Sequence, residues 1–504
     1  MTIRSKPLRI TLLVSAILLI LISIAVLVFV LIFDRVFLKI LWKNLALTPG
    51  SPVYEGWVAP SVPIYFTVHL YNLTNFDQFK NGSRPHFDIV GPFVYQEKRE
   101  RFNINFLNDS SPPSVKFDHR IFYYFKPEMS VGDPNDFTIT TPDLLVATTI
   151  NKNMGFAVSG YERFITKTAQ EVMWGYDHPF FNSVFGMFTT KQAVGLFATI
   201  NGTEVFNYVI NTGADNIKDI GKIYEVDGKQ VMQVWEHPEA NMINGTDGSL
   251  APPGLELGST VEFHAASICR SSTLYAVDKK PTQNHEGVEV VVFSPAPPKP
   301  DRITEWRNDM FCSKTNGCPL KGLIDLEPCL SVRAHAVPLF LSQPYFLGAD
   351  PRITDKFDGI PVPDPVDHST WVHIEPTAGL VLEAFKRIQF NLKMKLDYGS
   401  EETYYMPTGW VAETAIADKK TLDTVYNKMF LPRKRIPFFL SIAGAVAALL
   451  SVILILVLVF CVRTRSTSHR AKRDGTISPT SAKMDRTFPV SSWSDPPPTT
   501  DPQV

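Results

Sequence analysis

The sequence predicts an α+β protein in which two transmembrane helices, one near each end, flank one large domain of strands and short helices. Residues 10–33 and 436–462 predict the two helices, because each is a long run without a charged side chain. Several segments between them predict strands, because they alternate apolar and polar residues as a strand with one buried face does. The formal net charge of −1 argues against a general affinity for nucleic acid.

The first apolar run contains 24 residues and is rich in Leu, Ile and Val. A membrane-spanning helix needs roughly 20 such residues, so the run is long enough to cross a bilayer. The alternative is a cleaved signal peptide, whose apolar stretch is usually about 7–15 residues long and ends in small residues. This run is longer and is followed by Asp34-Arg35. We therefore expect an uncleaved anchor at 10–33, preceded by a short tail at 1–9.

The second apolar run contains 27 residues and lies between the cationic clusters Arg433-Lys-Arg435 and Arg463-Thr-Arg465. A buried helix of a soluble protein would be shorter and would not be bracketed by cations, so this run is also predicted to span the membrane. Residues 463–504 contain six prolines and fourteen serines or threonines. Such a tail cannot bury enough apolar surface to fold alone and is predicted to be disordered.

Two spans place both chain ends on the same side of the membrane. Lysines and arginines precede the first run and follow the second, so the positive-inside rule predicts that both tails are cytosolic. The cluster at 433–435 opposes that assignment, and glycosylation sequons supply an independent argument. All five sequons lie in the middle segment, 34–435, which we therefore expect to be extracellular or lumenal: Asn72, Asn81, Asn108, Asn201 and Asn244.

Four of the five cysteines lie in this middle segment: Cys269, Cys312, Cys318 and Cys329. In an oxidising compartment such an even cluster predicts two disulfides, and no CxxC pair supports the alternative of a zinc site. The spacing leaves three pairings open, although the Asn-Gly between Cys312 and Cys318 favours a turn that would bring those two together. The fifth cysteine, Cys461, lies at the edge of the second run, where it is either a palmitoylation site or a lipid-facing residue.

The strand predictions rest on alternation in residues 64–70, 102–106, 288–293 and 388–396. Between about 141 and 176 the apolar period changes to that of a helix. Thr141-Pro142 predicts a helix start, because proline is favoured at the first helical position. The apolar positions from 161 to 172 form a stripe at helical spacing, which is most often core packing.

A search for chemical motifs finds no nucleophile elbow, zinc-protease signature, phosphate-binding loop, dinucleotide fingerprint or calcium loop. The eleven histidines are scattered, and no set of His, Asp and Ser has the spacing of a motif. Catalytic residues need not be neighbours in sequence, so this absence does not by itself exclude an enzyme. We expect no catalytic site, no metal site and no cofactor.

Several segments, taken together with the two runs, resemble the class B scavenger receptors, the group of the fatty-acid translocase, the high-density-lipoprotein receptor and the lysosomal integral membrane protein. The matches follow one another across almost the whole middle segment. They are Trp57-Val-Ala-Pro-Ser-Val-Pro-Ile-Tyr65, Asn72-Leu-Thr-Asn75, Gly91-Pro-Phe-Val-Tyr95, Glu171-Val-Met-Trp-Gly-Tyr176, Met242-Ile-Asn-Gly-Thr-Asp247, Cys269-Arg-Ser271, Pro344-Tyr-Phe346, Ile374-Glu-Pro-Thr-Ala-Gly379 and Lys386-Arg-Ile-Gln-Phe-Asn391.

The resemblance implies a distorted antiparallel β-barrel with short helices, and a helical bundle at the apex, which would fall at about 141–195. It also implies a hydrophobic tunnel along which lipid passes towards the bilayer. The five-residue interval between Cys312 and Cys318 is similar to the lysosomal branch, which implies the pairs Cys312–Cys318 and Cys269–Cys329.

The chain departs from the family at the apex. The fatty-acid translocase has lysines a little upstream of its Trp-Gly-Tyr segment, where this sequence has Val158 and Gly160. The nearest cations are Arg163 and Lys167, and with Phe164 they are the candidate ligand-binding residues of the apex.

The resemblance implies a cell-surface receptor that binds lipids, lipoproteins or other lipid-rich particles and transfers lipid through the tunnel. The alternatives are a recognition receptor for apoptotic cells or microbes, and a lysosomal carrier of a protein cargo. The tail contains no Leu or Tyr for a sorting signal, so we expect residence at the plasma membrane. The leucine-free tail and the lack of histidine between 143 and 177 also count against a lysosomal carrier that releases its cargo by a change of pH. Whether the protein forms homo-oligomers is left open.

Overall fold

A computed structural model describes residues 6–60, 62–107, 109–152, 155–180, 193–295, 310–313, 316–332, 337–396 and 402–473. The chain divides into two compact units, the first formed by residues 1–31 with 437–504 and the second by residues 32–436.

The described helices differ greatly in length, and two of them are much longer than the rest. They are α1 Lys6–Lys43, α2 Pro52–Val58, α3 Phe76–Lys80, α4 Leu144–Asn151, α5 Ala169–Trp174, α6 Glu327–Val332, α7 Pro351–Thr354, α8 Pro365–His368, α9 Lys419–Val425 and α10 Leu431–Arg473. A π-helical turn, Tyr426–Phe430, joins α9 to α10.

The strands fall into one large sheet and two small ribbons. They are β1 Ile64–Leu73, β2 Phe87–Leu107, β3 Ser114–Phe125, β4 Thr138–Pro142, β5 Phe164–Thr168, β6 Tyr176–Asp177, β7 Ala193–Val194, β8 Phe206–Asn211, β9 Ile223–Val226, β10 Thr260–Ala265, β11 Arg270–Thr282, β12 His285–Ser294, β13 Ile324–Asp325, β14 Leu339–Ser342, β15 Trp371–Glu375, β16 Leu380–Leu396 and β17 Glu402–Ile416.

Two helical segments, α1 and residues 419–460, are long and apolar enough to cross a membrane, as the sequence predicts. Within the first unit they approach closely, since the Ser23 hydroxyl donates to the Gly444 carbonyl at 3.1 Å. A Cβ atom at Gly444 would lie 3.1 Å from Val26, so a small residue permits this approach. Helix α10 runs to Arg473. The predicted disordered tail therefore begins as helix, and its remainder lies outside the described residues.

The large sheet has thirteen antiparallel strands and is nearly closed. Its order is β10-β11-β12-β15-β16-β17-β1-β2-β3-β8-β9, with β14 also paired to β16 and β13 paired to β14. All four strand predictions are confirmed, because their residues lie within β1, β2, β12 and β16. Alternation identified these strands because one face of each packs against an apolar core.

The segment 242–247, which we call the closing segment, bridges the two ends of the sheet. The backbone N–H of Ile223 in β9 donates to the Gly245 carbonyl at 2.9 Å, and the N–H of His264 in β10 donates to the Thr246 carbonyl at 2.8 Å. Gly245 has φ of +88°, and a Cβ atom there would lie 1.9 Å from the Glu262 carbonyl oxygen. Only glycine fits this closing contact.

The helical interpretation of residues 141–176 is partly wrong. Pro142 ends strand β4, and α4 begins at Leu144 because the Asp143 carboxylate caps it by accepting from the N–H groups of Leu145 and Val146. The stripe from 161 to 172 is also divided, since residues 164–168 pair with β4 as strand β5. Helix α5 follows, starting from a capping box between Thr168 and Glu171. Residues 181–192 of the expected apical bundle lie outside the described part.

Two disulfides are present, Cys269–Cys329 and Cys312–Cys318, the pairing that the resemblance implied. Cys269 and Cys329 are buried in an apolar core. The short loop that Cys312–Cys318 closes contains Asn316, whose side-chain amide donates to Asp325 at 2.8 Å and to Glu327 at 2.9 Å. The Lys393 ammonium donates to the same amide's oxygen at 2.7 Å.

We predict that Cys269→Ser reduces stability more than Cys312→Ser. Chain entropy favours the disulfide with a sequence separation of 60 over the one with a separation of 6. The Cys269–Cys329 disulfide is expected to add on the order of 4 kcal/mol to the free energy of unfolding, and Cys312–Cys318 about 2 kcal/mol. Thermal unfolding of the purified full-length variants and their delivery to the cell surface would measure the difference.

The double variants provide the control for the disulfide prediction. If each effect comes from the lost disulfide, Cys269→Ser/Cys329→Ser should match Cys269→Ser, and Cys312→Ser/Cys318→Ser should match Cys312→Ser. Equal unfolding temperatures for the two disulfide losses would contradict the ranking.

Candidate functional site

The three apical candidates do not form a shared ligand-binding surface. Phe164 is 3% exposed and packs against Phe76 and Phe79, so it belongs to the core rather than to a surface. The Lys167 ammonium lies 3.3 Å from the Glu171 carboxylate and over the ring of Tyr176. Arg163 donates to the backbone carbonyl of Lys395. Both cations are therefore engaged within the domain.

The sequons differ in how far their asparagines are exposed. Asn81 and Asn201 are exposed, whereas Asn72 and Asn244 are half-buried. Asn108 lies outside the described residues, and so does the side chain of Cys461. Glycosylation at the five asparagines and palmitoylation at Cys461 remain predictions.

A small apolar cavity lies where β5 and α5 meet the start of α4. It is lined by Leu144, Ile165, Val172 and Leu196 among others, and its volume is about 20 Å³. That volume holds about one water molecule. The cavity is thus too small for a lipid chain in this conformation.

The enclosed side of the large sheet contains two apolar clusters. We call the first the Tyr95 cluster, whose members include Phe66, Tyr95, Tyr123, Trp174, Phe197 and Val411. We call the second the Trp57 cluster, whose members include Trp57, Val115, Phe117, Tyr208 and Ile210. Ile388 and Phe390 of β16 pack against both clusters. The Trp57 cluster joins residues of β3, β8 and β9 to Leu341 of β14, the strand that pairs with β16, so it extends across the enclosed side of the sheet.

Charged residues lie between the two clusters. Along the inner face of β2, Tyr95 of the first cluster is followed at alternate positions by Glu97, Arg99 and Arg101, and Arg101 then contacts Trp57 of the second cluster. Neighbouring strands and the closing segment add further polar groups at this level. We call this set the interior belt, and it comprises Glu97, Arg99, Arg101, His119, Asp247, Lys386 and Glu413.

Arg99 is the centre of one half of the belt. Its guanidinium lies 3.1 Å from the Glu97 carboxylate and 2.5 Å from the Glu413 carboxylate. The Lys386 ammonium lies 3.5 Å from the other oxygen of Glu413. Four residues from β2, β16 and β17 thus form one alternating chain of charges across the inner face.

Arg101 is the centre of the other half. Its guanidinium lies 3.2 Å from the Asp247 carboxylate and donates to the Trp57 carbonyl. It also lies over the Trp57 ring, 4.8 Å from the centroid. Only 1% of the Arg101 side chain is exposed. The closing segment that supplies Asp247 is therefore tied to β2 through a buried ion pair.

The two glutamates of the belt titrate very differently. Burial and the nearby charge of Glu413 raise the pKa of Glu97 above its usual range, because Arg99 and Lys386 compensate only in part. Burial alone would raise the pKa of Glu413 as well, but Lys386 and Arg99 hold it below its usual range. Burial and the charge of Arg101 lower the pKa of His119 to about 4, so that imidazole is neutral at physiological pH.

Several belt atoms lack a hydrogen-bond partner among the described residues. They are Glu97 Oε1, Arg101 Nε and His119 Nε2, and Trp57 Nε1 beside the belt shares this property. Buried polar atoms are nearly always paired in folded proteins, so the belt is an unusually polar part of the interior.

The sequence reasoning did not find the belt. The sequence indicates the belt only through the charged residues 97–101, which follow the family-like segment Gly91–Tyr95. Such a charged run is usually a solvated surface. In the part of the chain that the structure describes, no group of three or more His, Cys, Asp or Glu side chains is arranged to hold a metal ion.

A nearly closed antiparallel sheet and two terminal apolar helices define a two-span membrane protein with one large non-membrane domain. Comparison with known protein families matches residues 14–462 to the CD36 family. Scavenger receptor class B member 1 of Bos taurus is 29% identical over 414 residues, covering 78% of each chain. Lysosome membrane protein 2 of Homo sapiens is 28% identical over 421 residues, covering 80% of this chain and 85% of the relative. The chain belongs to the CD36 family, the class B scavenger receptors.

We predict that Arg101→Leu destabilises the large domain by about 3–5 kcal/mol, because it leaves the Asp247 carboxylate buried without its cation. The double variant Arg101→Leu/Asp247→Leu should recover much of that loss. Thermal unfolding of the full-length protein in detergent would report both effects.

Lys419→Leu provides a matched control, because it removes an exposed ion pair with Asp423 at 3.0 Å. The expected cost is below about 1 kcal/mol. A double variant no more stable than Arg101→Leu would contradict the interpretation of the buried pair.

Proposed function

We propose that the protein is a receptor that binds lipids or lipid-rich particles and transfers lipid to the membrane through the enclosed side of its sheet. The observation that carries the proposal is the pair of apolar clusters on the enclosed side of the sheet, the Tyr95 and Trp57 clusters, with the interior belt between them. Membership of the CD36 family supports it, and so does the similarity to scavenger receptor class B member 1.

The physical advantage of such a path follows from the hydrophobic effect. A lipid chain in water exposes apolar surface worth about 0.8 kcal/mol for each buried CH₂ group. A path lined by Phe66, Val411, Ile388 and Phe390 spares the chain that exposure between particle and bilayer. No group on the path has to catalyse a reaction, and we propose no enzymatic activity.

The path must widen before a lipid enters. The cavity beside α5 holds about one water molecule, and its lining residues Val172 and Leu196 also belong to the Tyr95 cluster. We propose that movement of α5 and the β4–β5 ribbon opens the Tyr95 cluster. Arg163 and Lys167 remain the proposed ligand contacts of this region, and buried Phe164 is excluded from that role.

We further propose that both chain ends are cytosolic and that residues 34–435 face the cell exterior. The five sequons and the cations beyond the two apolar runs support this orientation. We propose the plasma membrane as the location, and similarity to lysosome membrane protein 2 makes the lysosomal membrane the alternative.

The lipid path predicts where a bound lipid touches the protein. A photoactivatable fatty acid or sterol, incubated with the full-length protein in nanodiscs, should label the inner-face residues of β2, β16 and β17. Mass spectrometry of the peptides would locate the label, and excess unlabelled lipid should suppress it. Labelling confined to α1 and α10 would contradict the proposal, because those helices contact lipid in any membrane protein.

The orientation predicts which parts of the chain a protease can reach on intact cells. Protease should cut residues 34–435 but spare an epitope placed after Arg463 until the cells are permeabilised. Asn81→Gln and Asn201→Gln, at the exposed sequons, should each remove one glycan, seen as a mobility shift that glycosidase abolishes. Loss of the epitope without permeabilisation would reverse the orientation, and steady-state overlap with a lysosomal marker would reassign the compartment.

A further inference from the structure

Helical structure extends beyond both apolar runs on the side of the large domain. Helix α1 continues to residue 43 although the first run ends at residue 33, and α10 begins at residue 431, before the second run. We call residues 32–43 and 426–436 the stem. Both parts of the stem belong to the same compact unit as the large domain.

The two parts of the stem are joined to each other and to the domain. The Arg433 guanidinium donates two hydrogen bonds of 2.7 Å to the Asp34 carboxylate. Further along α1, Trp42 lies in an apolar cluster with Met429. Its indole N–H donates to the Thr377 carbonyl at 2.9 Å. One side of the stem is therefore held against the domain, and the other side is left to the surroundings.

The stem has a large surplus of positive charge. It contains seven lysines and arginines but a single carboxylate, Asp34, which is paired with Arg433. The side chains of the other six cations are exposed, and within the described part of the chain none of them forms an ion pair or a hydrogen bond. We call them the stem cations, and they are Arg35, Lys39, Lys43, Lys428, Lys434 and Arg435.

Half of the stem cations lie on one face of α1. Arg35, Lys39 and Lys43 recur at every fourth residue, which is the spacing of neighbours on a helix surface. Apolar side chains accompany them, since Val36 is 36% exposed and Ile40 is 60% exposed. A helix face that combines cations with exposed apolar side chains is typical of a helix at a membrane surface.

The stem cations nearest the apolar runs lie at the level of lipid headgroups. An α-helix rises about 1.5 Å per residue, so Arg35 lies at most about 3 Å beyond the first run and Lys39 at most about 9 Å. The headgroup region on one side of a bilayer is about 5–7 Å thick. Lys434 and Arg435 directly precede the second run. These four charges can therefore contact headgroup phosphates.

Orientation in the membrane does not account for the stem cations. In the proposed orientation they lie on the side of the membrane where the positive-inside rule disfavours lysine and arginine. The phosphate of a zwitterionic headgroup is balanced by an amine of the same lipid. An anionic headgroup has no such balance, so its charge complements the surplus of the stem.

We propose that the stem cations bind the phosphates of anionic lipids in the leaflet next to the large domain. This inference goes beyond the proposed function, because it requires no transfer of lipid through the sheet. Arg35, Lys39 and Lys43 bind from the exposed face of α1, and Lys434 and Arg435 bind from the start of the second membrane helix.

The experiment uses two lipid probes that carry a photoreactive group on the headgroup, an anionic phosphatidylglycerol and a zwitterionic phosphatidylcholine. Each is added in trace amount to the full-length protein in nanodiscs of phosphatidylcholine. Mass spectrometry of the peptides then gives the labelling ratio of the two probes at the stem. The anionic probe should label the stem at least about fivefold more, which is the effect of roughly one lysine or arginine at an anionic membrane surface.

Neutralising the stem should remove this preference. Arg35→Gln/Lys39→Gln/Lys43→Gln and Lys434→Gln/Arg435→Gln should each lower the labelling ratio, and the two sets combined should bring it close to one. All five side chains are exposed and unpaired among the described residues, so the thermal unfolding temperature should stay close to that of the wild type.

Arg463→Gln/Arg465→Gln is the matched control. It neutralises two cations that follow the second run at its other end. It should lower anionic labelling of the peptides after residue 462 and leave the labelling ratio at the stem unchanged.

Wild-type protein gives a second measurement that does not depend on the folding of a variant. Raising the ionic strength from about 0.1 M to about 1 M shortens the Debye length from about 10 Å to about 3 Å, so the labelling ratio at the stem should fall. Inorganic phosphate added at constant ionic strength should leave the ratio unchanged, because the bilayer holds its headgroups beside the stem.

Three results would overturn the proposal. They are a wild-type ratio near one, a ratio that the combined stem substitutions leave unchanged, and suppression of stem labelling by inorganic phosphate at constant ionic strength. The last result would assign the stem cations to a soluble anion. All three would leave the lipid path intact, since that path is tested by labelling of β2, β16 and β17.

Discussion

The buried ion pair between Arg101 and Asp247 is the interaction on which the enclosed side of the sheet depends. Asp247 lies on the segment that joins β9 to β10, and Arg101 lies on β2, which β3 and β8 separate from β9 in the sheet. The backbone hydrogen bonds of Gly245 and Thr246 join the closing segment to β9 and β10. The ion pair joins the same segment to β2. A buried pair is costly to break because either partner alone is an uncompensated charge. The nearly closed sheet is consequently held by this buried ion pair as well as by the backbone hydrogen bonds of the closing segment.

The belt also makes the enclosed side of the sheet chemically uneven. A layer of paired charges lies between the Tyr95 and Trp57 clusters, at a defined level of the sheet. The arginines suit this role because a planar guanidinium can bind carboxylates and pack against an aromatic ring at once, as Arg101 does with Asp247 and Trp57.

Local patterns predicted those parts of the fold that local physics decides. Alternation identified β1, β2, β12 and β16, and length with composition identified the two membrane helices. The β4–β5 ribbon was missed because residues 164–168 take strand geometry from their pairing with residues 138–142, which lie far away in sequence. For the same reason Phe164 was predicted to lie on a ligand-binding surface, although it is buried in the core. The belt could not be predicted, since Glu97, Arg99 and Arg101 would face solvent if the sheet did not close.

The closing segment also bears on the order of events during synthesis. The sequon Asn244-Gly245-Thr246 lies within it, and the hydroxyl of Thr246, buried with its side chain, donates to the Leu250 carbonyl at 2.7 Å. An enzyme that recognises the sequon must reach that hydroxyl, and Gly245 is pressed against the Glu262 carbonyl once β10 is in place. A sugar on Asn244 must therefore have been attached while β9 and β10 were still apart. Its presence on a mature molecule would record that modification came before closure.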